Sequence, residues 1–193
     1  MQKWTLYVQC PNSLGDPKPC FLSWVQIMSG ILDLTEPRHL LAKLSHEIGM
    51  LAAEPRNSYA AINALRDAYH LREWVWHGRL EKNPVLQAQI MGASGNETKW
   101  EKHVNQCFPD FSLIRELCNG SKHFERDSRD KVEATHQAGY GSPLFAYNAG
   151  VLGYGVDGIF VQVEAGRIVS VMHLIESAHD FWIKLFERFP QLG

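Results

Sequence analysis

Between Asn57 and Gly78 one repeated pattern leaves the chain little choice of structure. Ala61, Ala64, Leu65, Ala68, Leu71 and Val75 recur at three- and four-residue steps. At about 100° per residue they fall on one side of a helix. Asn57 or Ser58 can cap its start and Gly78 can close its end. Three alanines in the stripe let a neighbouring helix approach closely. Arg66, His70, Glu73 and His77 lie on the opposite side, and Trp74 and Trp76 flank the stripe.

Such a helix buries its stripe only against other elements, and the rest of the chain supplies them. Glu36–Ala53 carries Leu40, Leu41, Leu44, Ile48 and Leu51 at helical spacing, with Pro37 suited to the first turn. Shorter helices are expected over Pro84–Gly92 and Glu97–Phe108, the latter with Trp100, Val104 and Phe108 inward. Asp110 starts another, which runs to Phe124 with Leu113, Ile114, Leu117, Gly120 and Phe124 as its core side. Phe21–Leu34 reads as a further helix and Lys3–Gln9 as a short strand. The charged segment Glu125–Gln137 reads as a helical extension or a solvated loop.

The periodicity then changes. Ile159, Val161 and Val163 alternate, Ala165-Gly166 makes a turn, and Ile168, Val169 and Val171 follow. This predicts a β-hairpin. Met172–Phe189 returns to helical spacing through Ile175, Trp182, Leu185, Phe186 and Phe189. The expected class is mainly α: a helical bundle over about 21–137, then a small antiparallel hairpin or sheet and a closing helix over 144–190. With 193 residues, 45% of them hydrophobic, it reads as a single domain over 1–193.

The net charge of −2 provides no general basic field for a nucleic-acid backbone, so contact with one needs a local patch. Cys10, Cys20, Cys107 and Cys118 form no C-x-x-C pair. No secretory apolar core and no apolar run of spanning length occur, so the expectation is a cytoplasmic protein with no membrane partner. P-loop, G-x-G-x-x-G, G-x-S-x-G and H-E-x-x-H motifs are absent from the sequence.

The most chemically loaded segment is the end of the Asp110–Phe124 helix. Arg115, Asn119 and His123 are spaced i, i+4, i+8 and form a row. Arginine can hold a phosphate as a planar fork, and histidine can move a proton near neutral pH. In this row His123 is the candidate proton carrier, Asn119 the orienter, and Arg115 and Lys122 the phosphate contacts. The segment Leu117-Cys118-Asn119-Gly120-Ser121-Lys122-His123 resembles the signature of HEPN domains (higher eukaryotes and prokaryotes nucleotide-binding). Their signature is an arginine, a polar residue, three further residues and a histidine. Asn119 and His123 fit it, while Cys118 stands where the family has arginine and Arg115 lies one turn earlier. The resemblance implies a helical bundle, often a homodimer, that binds RNA or nucleotides in a bacterial defence or toxin–antitoxin setting. It also implies an atypical ribonuclease. The strings at 119–124 and 68–76 also resemble a group of bacterial proteins of uncharacterised activity.

A second pattern points elsewhere. Four of the nine histidines follow a carboxylate by three residues: Glu36/His39, Asp67/His70, Glu133/His136 and Glu176/His179. Positions i and i+3 share a helix face, and Glu-x-x-His pairs on two helices hold iron in carboxylate bundles. The alternative expectation is therefore an oxidoreductase with iron or another divalent metal. A third is a non-catalytic module whose polar helix faces meet a protein partner. No cofactor is the favoured expectation.

Overall fold

A computed structural model describes residues 34–120, 132–138, 157–163 and 167–193. The expected strand at Lys3–Gln9, the expected helix at Phe21–Leu34 apart from Leu34 itself, and Ser121, Lys122, His123 and Phe124 lie outside the described residues.

The molecule is built around the helix that the alanine stripe predicted. Helix α1 spans Pro37–Ala53 and α2 spans Ser58–Val75. Asn57 caps α2: its side chain accepts from the backbone N–H of Tyr59 and of Ala60, each at 3.1 Å. Such a cap contributes about 1 kcal/mol. Ala64, Ala68, Leu71 and Val75 are fully buried. α2 packs against α1, α5 and α6.

Gly78 does not close α2. The chain continues through a π-helical turn, Trp76–Leu80, in which Glu81 N–H donates to Trp76 O at 2.8 Å. The wider turn keeps both Trp76 and Leu80 in the core, at 5% and 0% exposure, where an ordinary α-turn would set them at a different angle. Helix α3 (Pro84–Met91) ends at Gly92, whose φ of 76° is the left-handed conformation glycine adopts freely. Helix α4 spans Glu97–Cys107, α5 spans Phe111–Gly120 and α6 spans Val171–Arg188. A 3₁₀ turn, Pro190–Leu192, follows and buries Leu192.

The core gathers Leu44, Ala64, Leu71, Ile114, Ile175 and other apolar side chains from all six α-helices and the sheet. An aromatic group fills its centre. Trp182 meets Phe181 edge-on with centroids 4.9 Å apart, Phe111 at 6.4 Å and Trp100 at 6.5 Å. These geometries suit the ring quadrupoles.

Strands β1 (Val132–Ala138), β2 (Gly158–Val163) and β3 (Arg167–Ser170) form an antiparallel sheet in the order β1-β2-β3. The hairpin strands match the expectation. β1 corrects it: the end of the 125–137 segment is neither helix nor solvated loop. Thr135 pairs with Val161 and His136 with Phe160, and a register irregularity lies between Val132 and Ala134. The charged neighbours of β1 conceal its alternation, which emerges only when β2 supplies a partner edge. No described helix is long and apolar enough to cross a membrane.

Candidate ligand cavity and the polar belt beside it

Helix α5 has the strongest contrast between faces. Phe111, Leu113, Ile114 and Cys118 are buried, whereas Arg115 and Glu116 are half-buried and Asn119 is exposed. Arg115 and Asn119 therefore share the outward side that their spacing predicts. Gly120, expected on the core side, is exposed, and a Cβ there would meet nothing within 4 Å. Cys118 takes the buried place instead, at 2% exposure. The position at which the HEPN signature carries arginine thus points into an apolar core.

Arg115 is held by a neighbour. Its Nη1 lies 3.1 Å from Glu101 Oε1 on α4. Glu101 also meets Arg72 Nη1 at 3.5 Å, and the same Nη1 reaches Glu97 Oε1 at 3.3 Å. Arg72 Nη2 lies 3.1 Å from Glu73, whose other oxygen meets His70 Nδ1 at 3.0 Å. The exposed face of α2 and the outer side of α5 are therefore joined into one belt through α4. Three carboxylates face two guanidiniums there, which is an acidic balance rather than a phosphate cradle. The guanidinium of Arg72 stacks 5.5 Å from the Tyr69 ring, and burial pushes the Tyr69 phenol above its ordinary range. Arg72 Nε is buried without a hydrogen-bond partner.

The acid-x-x-His residues are engaged separately. Glu36 lies at the start of α1, 3.4 Å from Arg79, and His39 Nδ1 accepts from Thr35 N–H at 3.2 Å. Asp67 Oδ2 meets Lys43 Nζ at 2.6 Å, while His70 turns to Glu73. His179 Nε2 lies 2.7 Å from Ser45 Oγ, and Glu176 is exposed. On β1, Glu133 accepts from Gln162 Nε2 at 2.8 Å, while His136 is half-buried opposite Phe160. Among the described residues, no group of three or more His, Cys, Asp or Glu side chains is arranged to hold a metal ion.

Asp67 and Arg72 are buried polar residues that the reading by faces missed, at 9% and 5% exposure. The signal was present in the helical angle. At about 100° per residue, Asp67 and Arg72 lie about 60° and about 80° to either side of Ala64, on the flanks of the stripe. Burial raises the Asp67 carboxyl above its ordinary 3.8, outweighing the opposing pull of Lys43. Burial also opposes the charge on Lys43, but its hydrogen bonds to Asp67 and Glu47 prevail and hold the ammonium above 10.5. Both groups are raised, which disfavours the charge on Asp67 and favours the charge on Lys43; Asp67 sits deeper, with 12% of its side chain exposed against 35% for Lys43.

A cavity of about 260 Å³ lies between α2, α5 and the sheet. Helix α2 contributes Ser58, Ala61, Ile62 and Leu65, and α5 contributes Glu116, Leu117 and Gly120. Val132, Thr135, Ile159 and Val161 form the sheet wall, and Val171 starts α6 at its edge. Its walls are mostly aliphatic. Ser58 Oγ accepts from Gln137 Nε2 at 2.7 Å, and the same amide reaches Arg56 O at 3.3 Å. These bonds fix the α2 end of the cavity to β1. No sequence motif announced this space, because it arises from elements that are not adjacent in the chain: α2 ends at Val75 and α5 begins at Phe111.

No protein-family model, curated protein or solved structure matches this chain.

Proposed function

We propose that this chain is a binding domain whose ligand occupies the cavity between α2, α5 and the sheet. The observation that carries this reading is the cavity itself: about 260 Å³ of space with aliphatic walls drawn from separate layers. The space opens to the surface at Gly120 and Thr135, and concave spaces with mostly apolar walls are few on a domain. A concave apolar space with a small number of polar groups at its edge is the general form of a small-molecule site.

The reading is tested with a neutral fluorescent probe, N-phenyl-1-naphthylamine, and a blocked cavity. Gly120→Leu introduces a side chain at a position where a Cβ meets nothing within 4 Å. Ile62→Trp narrows the space from the α2 side, at a residue that is 37% exposed. Saturable probe binding that falls at least tenfold in both variants supports the reading. Binding of equal strength in both variants and the parent chain rejects it.

A second reading rests on Arg115 and Asn119, which occupy neighbouring turns on the outward side of α5. In sequence they continue to Lys122 and His123. Here the chain is a HEPN-like RNA- or nucleotide-binding protein. For Arg115 to hold a phosphate it must exchange Glu101 for it. Affinity for a short single-stranded RNA would then rise in Glu101→Gln and fall in Arg115→Ala and His123→Ala. Unchanged affinity in all three variants sinks this reading.

A further inference from the structure

Resting on the cavity reading above, we infer that the ligand is a neutral two-ring aromatic molecule bearing one hydroxyl or ring N–H group. Size, shape and polarity each contribute to this assignment.

A dry apolar cavity of roughly 150 Å³ holds benzene. The cavity here is about 260 Å³, which adds room for a second fused ring. Its two broad walls are a sheet face and a helix face. Val161 and Ile159 belong to one, Ala61 and Leu65 to the other. A fused ring system reaching from one wall to the other has little rotational freedom to lose.

The polar group is placed by two hydroxyls. Thr135 is paired with Val161, so its side chain stands on the cavity face of the sheet beside that valine. Two residues along β1, on the same face, Gln137 donates to Ser58 Oγ. That bond occupies the serine oxygen as acceptor and leaves its hydroxyl hydrogen available to donate. Thr135 and Ser58 therefore offer a donor and an acceptor near one end of an otherwise aliphatic space. The described lining has no Lys, Arg or His and includes Glu116, so an anionic ligand finds no counter-charge there.

Naphthalene, 2-naphthol and 2-naphthoate share one ring system and separate these features. Binding of each to the full chain is measured by calorimetry or by competition with the fluorescent probe. The expected order is 2-naphthol tightest, naphthalene about two- to tenfold weaker for the lost hydrogen bond, and 2-naphthoate weakest. Thr135→Val or Ser58→Ala then removes the preference for 2-naphthol, lowering its affinity more than that of naphthalene. Equal affinity for naphthalene and 2-naphthol in the parent chain, a preference that survives in both hydroxyl variants, or tightest binding of 2-naphthoate overturns the assignment while leaving the cavity reading standing. Absence of binding by all three, or binding indifferent to Gly120→Leu, overturns the cavity reading itself.

Discussion

Trp182 on α6 donates its indole N–H to the backbone carbonyl of Ala68 on α2, across 3.1 Å, with both residues fully buried. One helical turn further on, Trp100 of α4 does the same to the carbonyl of Arg72, at 2.9 Å. A helical carbonyl already accepts along the helix axis, and its second lone pair is free to take an indole. Two tryptophans from different helices thus grip one edge of α2. Trp182→Phe removes the donor and leaves space where the second ring was. Its expected cost is about 2–3 kcal/mol. Urea denaturation monitored by far-ultraviolet circular dichroism measures it, and an unchanged midpoint would remove the indole bond from the account of stability.

The Lys43–Asp67 pair makes an acid-side prediction. The folded carboxyl of Asp67 titrates above its ordinary 3.8, because burial penalises its charge more than Lys43 relieves it. The folded state therefore binds this proton more tightly than the unfolded state does. The contribution of Asp67 to stability rises as pH falls through the folded value and is complete below 3.8. Asp67→Asn keeps the shape and an acceptor for Lys43. At pH 7 it should change stability by less than about 1 kcal/mol, on the neutral or stabilising side. Its stability curve should also be flatter between pH 4 and 7 than that of the parent. Lys43 has the opposite window: its raised value gives stability that is complete below 10.5 and lost as pH rises through the folded value. Lys43→Met, which leaves the carboxylate buried without its partner, should destabilise at pH 7. Denaturant midpoints for both variants across pH decide the matter, and a marked loss in Asp67→Asn at pH 7 would reverse the sign argued here.

How much of this was legible follows from how local each signal is. The alanine stripe, the Asn57 cap and the Ile159–Val169 alternation are written in adjacent residues, and each has its counterpart in the structure, whereas Val171, expected on the hairpin, begins α6. β1 was not legible because its identity depends on pairing with β2, more than twenty residues away. The polar belt was half legible: the outward positions of Arg115 and His70 follow from helical spacing. Glu101, which connects them through Arg72, follows only from how α4 crosses. The cavity was not legible, since it depends on where three packed elements leave a gap between their faces.

Gly120 offers a direct check on the cavity wall. Its φ is not in the left-handed region, and a Cβ there would meet nothing within 4 Å. The helical pattern suggests close packing at this glycine, and the geometry shows none. Gly120→Ala should therefore stabilise the chain by about 0.5 kcal/mol, through lower entropy of the unfolded state. A rise in the thermal midpoint is the expected result. A fall would mean that the position is crowded in solution, which would also remove the space on which ligand binding depends.

Cys118 tests the meaning of the HEPN-like signature most sharply. Placing arginine at this position, as Cys118→Arg, puts a guanidinium at a site 2% exposed among the apolar side chains of α5 and its neighbours. An unpaired buried charge costs several kcal/mol, comparable to the whole stability of a domain. The expected outcome is an unfolded or insoluble chain, whereas Arg115→Ala, at a half-exposed pair with Glu101, should cost no more than about 1 kcal/mol. Soluble expression and a denaturation curve for each variant separate the cases. If Cys118→Arg folded as stably as the parent, the α5 turn at 118 would have to present its side chain outward, and the row through Asn119 would regain the arginine that the resemblance requires.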